Sequence, residues 1–197
     1  MKNGRMKTFP DSNVSTVPVN AWHTEHVYFG KLLRLLRREL DVFHLGERPR
    51  YELMQDIITY LREFSDRYHH PREDEAFRRL AKHCPEMELP LARLHQEHRV
   101  IANTGEKVLQ QINAILEDVV VSREEVEMAL ATYLVYYENH IAKEEADILT
   151  RAAKNLTAAD WNAVRDAAPA GHDPVFGDRP EQRYEELRRH IGLEEAT

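Results

Sequence analysis

Residues 137–144 read Tyr-Glu-Asn-His-Ile-Ala-Lys-Glu, and residues 66–73 read Asp-Arg-Tyr-His-His-Pro-Arg-Glu. Each stretch holds a histidine and a glutamate four positions apart: His140 with Glu144, and His69 with Glu73. On an α-helix that spacing sets both side chains on one face, one above the other. The flanking residues keep the same rhythm. Met128, Leu130, Leu134, Tyr137, Ile141 and Ile148 recur at intervals suited to a helix face, as do Leu53, Ile57, Leu61, Phe64, Phe77 and Leu80. Both motifs therefore belong to long amphipathic helices.

Working outward, Ser122 with Glu125 forms a capping box that opens the helix of His140, which runs to about Lys154. The helix of His69 begins near Arg50 and ends before Pro85. Pro71 lies inside it, and its missing N–H and bulky ring predict a kink or restart at 70–72. A further helix extends from an Asn20 cap to about His44, stopped by Gly46 and Pro49, with Val27, Leu32, Leu33, Leu36, Leu40 and Phe43 as its stripe. Another opens at Pro90 and carries Leu94, His98, Ile101, Val108, Ile112 and either Ile115 or Leu116. Thr157 and Asp160 cap a short helix through Ala168, and a last one covers Glu181 to His190. No stretch alternates with period two for long enough to make a strand. The expected fold is all-α: a flexible arm over 1–19, an up-down-up-down four-helix bundle over 20–156, and a C-terminal helical extension over 157–197. Trp161, Val164, Phe176 and Leu187 would seat that extension on the bundle or on a second subunit, so a homodimer is one expected arrangement.

Composition narrows the function. The chain has 197 residues, a net charge of −7, 11 histidines and one cysteine, Cys84. The negative balance gives no electrostatic footprint for nucleic acid. No apolar run approaches the roughly 18 residues of a membrane span, the longest being Ala129 to Tyr137. The N-terminus shows no apolar signal region, and the expected location is the cytoplasm. One cysteine rules out an internal disulfide framework and a Cys-only metal site. The histidines are the unusual feature.

Two further segments carry His-x-Glu-His, at His23 to His26 and His95 to His98, making the chain a weak internal repeat. In antiparallel neighbours, residues at one height are equidistant from the turn between them. The midpoint of His26 and His69 falls at Glu47–Arg48, that of His69 and His98 at His83–Cys84, and that of His98 and His140 at Val119. All three coincide with turns located independently from punctuation, within about 12 Å of height. The agreement supports a common layer for four imidazoles and two carboxylates, without proving that they touch. Imidazole suits iron, zinc, copper and nickel, carboxylate oxygen suits iron and manganese, and the missing thiolates argue against structural zinc. Burying these groups without a metal is costly. Two divalent cations bridged by Glu73 and Glu144, each with two histidines and a shared oxo or hydroxo group, resolve that cost and leave one position open on each.

The order H26 – H69xxxE73 – H98 – H140xxxE144, over roughly residues 20–154, resembles the hemerythrin-like (HHE cation-binding) family, four-helix-bundle proteins with a non-haem di-iron centre. The resemblance implies that His26, His69, Glu73, His98, His140 and Glu144 hold two iron ions. The oxygen carriers of that family use a His-x-x-x-His pair on the third helix and an aspartate on the fourth; here Ala102 and Glu144 stand in those places. The chain looks more like the bacterial branch linked to oxygen or nitric oxide sensing, iron handling or iron-centre repair. Its implied partner is a small diatomic or peroxide ligand. A non-catalytic iron storage or sensing module is the alternative.

Several neighbours carry expectations of their own. His23 and His95 lie one turn before the lone histidines, behind the ligands or at the mouth of the layer, with extra ligation or plain surface as the alternatives. His70 faces solvent unless the Pro71 kink turns it inward, and Asp66 is either within reach of the His69 ring N–H or solvated. Of Tyr133, Tyr136 and Tyr137, at least one approaches the site, as a hydrogen-bond donor or as core. Gly30 and Ala102 either leave volume beside the open positions or permit close packing.

Overall fold

A computed structural model describes residues 16–168 and 171–195, and among them there is helix and no strand. Residues 1–15 of the expected arm lie outside the described residues, as do 169–170 and 196–197. Helix α1 (Thr16–His44) begins four residues before the Asn20 cap, because Pro18 in its first turn needs no backbone donor. It ends on Gly46, whose φ of 80° lets Gly46 and Glu47 N–H groups cap the carbonyls of Phe43 and Val42. Helix α2 runs without interruption through Tyr51–Tyr60, Leu61–His69 and His70–His83. Helix α3 is Glu88–Leu116, closed by Asp118 at φ 60°. Helix α4 runs through Arg123–Lys143, Glu144–Ile148 and Leu149–Asn155. At its start Ser122 Oγ accepts from Glu125 N–H at 3.4 Å, so one half of the expected box forms. Helices α5 (Ala158–Asp166) and α6 (Glu185–Glu195) follow, α5 with both bonds of its Thr157–Asp160 box.

Consecutive long helices run antiparallel, as their cross-links show. Glu25 meets His69 near the start of α1, and Glu39 meets Arg50 near its end. Gln55 reaches Asn113 and Asp74 reaches His98 between α2 and α3. Glu97 meets His140 between α3 and α4, and Gly105 is so close to Tyr133 that a Cβ would sit 3.0 Å from its ring. His23 contacts Glu145 and Arg123 contacts Phe43, at opposite ends of α1 and α4.

Pro71 leaves α2 continuous. The segment ahead of it widens into π-helix, with His70 N–H reaching back five residues to Ser65 C=O. The wider turn accommodates the proline ring, and Arg72 Nε donates to Tyr68 C=O at 2.6 Å. It also adds a residue to the turn, so both His69 and His70 reach the inner face. His70 is buried, in contrast to its regular-helix expectation. A second π segment, Glu144–Ile148, lies at the matching motif on α4.

The apolar interior is divided into two clusters. The larger joins Phe29, Leu36, Ile57, Phe64, Val108, Leu134 and Tyr137; the smaller joins Trp22, Phe77, Leu80, Leu94, Ile148 and Trp161. Val27 and Met128, expected on the inner stripes, are exposed, whereas Trp22 and Phe29 are buried. The C-terminal segment closes on the long helices: Tyr28 stacks on Phe176 at 4.1 Å, Tyr60 O–H donates to Asp173 at 2.9 Å, and Leu187 is fully buried.

Candidate metal centre

Between the two apolar clusters lies a polar layer. His26, His69, Glu73, His98, His140 and Glu144 come from all four long helices, and none is more than 5% exposed. Each helix contributes the residues its 3.6-residue period turns inward, and antiparallel packing brings them to one height.

The six groups divide into two sets. Glu73 Oε1 lies 3.4 Å from His26 Nε2 and 3.1 Å from His69 Nε2, and Glu144 Oε2 lies 3.4 Å from His26 Nε2. The other oxygens turn the other way. Glu73 Oε2 is 3.4 Å from His98 Nε2, while Glu144 Oε1 is 3.7 Å from His98 Nε2 and 3.0 Å from His140 Nε2. Each carboxylate thus gives one oxygen to each histidine pair.

The outer ring nitrogens are all engaged. Nδ1 of His26 faces Glu145 at 2.7 Å, of His69 faces Glu25 at 2.5 Å, of His98 faces Asp74 at 2.7 Å, and of His140 faces Glu97 at 3.3 Å. An ionised carboxylate only accepts, so each Nδ1 is the donor, and each Nε2 can then present a lone pair inward. Glu25, not Asp66, fixes His69; Asp66 lies 3.3 Å from His70 Nδ1 instead. Arg72 braces Glu25 and Lys143 braces Glu97. His23 and His95 brace Glu145 and Asp74, at 2.9 and 2.8 Å. The mouth positions expected of these two histidines are therefore one step removed from the layer.

Charge in the layer follows from these contacts. Burial opposes a charged His26, but the carboxylates of Glu145 and Glu73 outweigh it and lift the ring to about 10. His69, His98 and His140 are raised against burial in the same way. Burial pushes Glu73 and Glu144 up, and the surrounding imidazoles reverse it, so both stay ionised. His70 differs. Burial, then the neighbouring His98 and His69, push it well below the usual imidazole range. Its ring stacks on His98 at 4.1 Å and its Nε2 lies 3.2 Å from Ser65 Oγ, which accepts the Tyr137 hydroxyl at 2.5 Å.

The fit to a cation is visible in what has no partner. Both oxygens of Glu73, both of Glu144, and Nε2 of His98 and His140 are buried without a hydrogen bond. Orphaned groups of this kind are costly, and all of them face one interior, where the two imidazoles offer lone pairs once a cation displaces their Nε2 protons. Among the described residues, His26, His69 and Glu73 offer donor atoms close enough together to share one cation, and so do His70, Glu73, His98 and His140.

Of the three tyrosines, Tyr136 is exposed, Tyr133 and Tyr137 are buried, and Tyr137, 5.9 Å from His70, is the one that approaches the layer. A Cβ on Gly30 would meet Arg34 at 3.7 Å, so Gly30 does not guard volume at the centre; the walls are Phe29, 4.9 Å from His69, and Phe77, 5.7 Å from His98. The outer carboxylates went unread in the sequence although they repeat: Glu25 and Glu97 precede the lone histidines, and Asp74 and Glu145 follow the inner glutamates.

No curated protein and no solved structure matches the chain. The family model of the hemerythrin HHE cation-binding domain matches residues 17–152, the span that carries all six inner residues. The chain belongs to the hemerythrin HHE cation-binding family.

Proposed function

We propose that the chain holds two iron ions between His26, His69, His98 and His140, with Glu73 and Glu144 bridging them. The reading takes the four long helices as an up-down-up-down bundle of the hemerythrin type, with the C-terminal segment as its helical extension. One observation carries it: each buried glutamate gives one oxygen to each histidine pair, and neither oxygen has another partner. Bound there, iron supplies electrons and an open position at which oxygen, peroxide or nitric oxide reacts, in sensing, stress response or iron-centre repair. The chain's own residues do the rest. The outer carboxylates hold each imidazole with Nε2 turned inward, and Phe29, Trp22 and Phe77 wall the layer. Tyr137 is committed to Ser65. The same reading places the protein in the cytoplasm, where ferrous iron and a reduced Cys84 thiol coexist.

Metal analysis of protein purified without added metal is expected to give about two iron per chain, and oxygen exposure of the reduced form to change its visible absorption. A single zinc with no iron overturns the proposal. A second reading, a non-catalytic storage or sensing module, is favoured by two contacts of one residue. Trp22 lies 6.4 Å from His69 and 5.5 Å from Trp161, linking the layer to the C-terminal segment. If iron occupancy controls that docking, chelation will expose residues 157–195 to protease; an unchanged digestion pattern removes this reading.

A further inference from the structure

We propose that His95 with Asp74, and His23 with Glu145, are two surface stations through which a divalent cation reaches the buried layer; this rests on the reading of that layer as a cation site. The six inner residues are at most 5% exposed, so a cation must cross the outer carboxylates to arrive. Two of the four are guarded. Glu25 carries the Arg72 guanidinium at 3.0 Å, and Glu97 carries the Lys143 ammonium. These side chains occupy the carboxylate oxygens themselves and have no lone pair to offer a metal ion.

The remaining two carry imidazoles instead. The side chains of His23 and His95 are 62% and 54% exposed, and those of Glu145 and Asp74 are 29% and 30% exposed. Exposure therefore falls in steps from imidazole to carboxylate to the inner ring. Asp74 Oδ1 lies 2.8 Å from His95 Nδ1 and 2.7 Å from His98 Nδ1, and the three residues offer donor atoms within 4.8 Å of one another. Glu145 likewise spans His23 at 2.9 Å and His26 at 2.7 Å. Each station opens on a surface cavity. One, of about 770 Å³, is walled by Asp74, Glu75, Glu88 and His95, with Arg78 and Lys82 also at its rim. The other, of about 300 Å³, is walled by His23 and Glu145. Asp74 and Glu145 directly follow Glu73 and Glu144 and sit on the outer nitrogens of His98 and His26, so each station adjoins the layer at a histidine.

The test is the rate at which metal-free full-length protein takes up cobalt(II), followed by visible absorption in stopped flow. Two double variants are compared, H23A/H95A and H23Q/H95Q, with thermal melting to confirm the fold. A glutamine amide still donates to the carboxylate but offers no nitrogen lone pair. Both variants are expected to fill about tenfold more slowly, the loss of a local capture site, and to reach the wild-type cobalt content. Filling at the wild-type rate by the glutamine variant overturns the stations, as does a lower final content at an unchanged rate. Wild-type protein that takes up no cobalt overturns the reading of the layer and the stations with it, a result distinct from the others.

Discussion

The two halves of the layer are built alike and differ most beside the motif histidine. In each, a lone histidine and the histidine of a His-x-x-x-Glu motif turn Nε2 inward and give Nδ1 to a carboxylate. In each, a cation three residues after the motif histidine, Arg72 or Lys143, braces one of those carboxylates. The difference lies beside the motif histidine. His140 is followed by Ile141, which packs on the larger apolar cluster, whereas His69 is followed by His70, whose ring crosses to the other half and stacks on His98. The repeat is kept where every buried imidazole needs an acceptor, and it lapses where nothing requires one. The halves are therefore alike in how they hold their histidines and unlike in the chemistry around the His98–His140 pair.

The strongest way to break the comparison is to remove what the halves share. Glu73→Ala or Glu144→Ala is expected to cut metal content well below wild type in elemental analysis. Each also leaves buried charge unmatched, at about 3–5 kcal/mol in denaturant unfolding of the metal-free protein. Full metal content in both variants would dismiss the shared bridge. Next come the outer acceptors: Glu25→Gln and Glu97→Gln should each weaken cobalt binding about 10–100-fold in competition with a chelator. The Glu25 change should be the larger, since its contact is 2.5 Å against 3.3 Å; the reverse order would contradict the geometry.

His70→Ile gives the first half the residue of the second. The cobalt spectrum is expected to change from two components towards one, with a stability change of about 1–3 kcal/mol. An unaltered spectrum would show the halves to be equivalent already. The smallest effect belongs to a site outside both halves. Asp160 is held below the ordinary carboxylate range by the Thr157 hydroxyl, and by Arg79 and His83, against burial. Asp160→Asn should lower stability by about 1 kcal/mol at neutral pH. A depressed native pKa contributes above the unfolded value of 3.8 and is lost as pH falls through the native one, so wild type and variant should converge in acid. A gap that persists unchanged would assign it to something other than the charge.

Much of this could be read in advance. Leu36, Leu40, Ile57, Leu130 and Leu134 kept their period and are buried, and the Thr157–Asp160 box forms as written. The misreadings fall where the helix is irregular or where the partner sits on another helix. His70 is inside because the π turn before Pro71 changes the register on which its outward position was reckoned. Glu25 took a role that was one of two open to Asp66, because the acceptor for His69 comes from α1 and spacing along α2 carries no information about α1.

Sequence alone determined the long helices, their turns and the six residues of the layer, because periodicity and punctuation act within a few residues along the chain. Tertiary structure alone decided which carboxylate meets which imidazole, which of them a fixed cation guards, and that His70 belongs to the opposite half. Those depend on how whole helices rotate against one another, and packing settles that rotation by filling the two apolar clusters on either side.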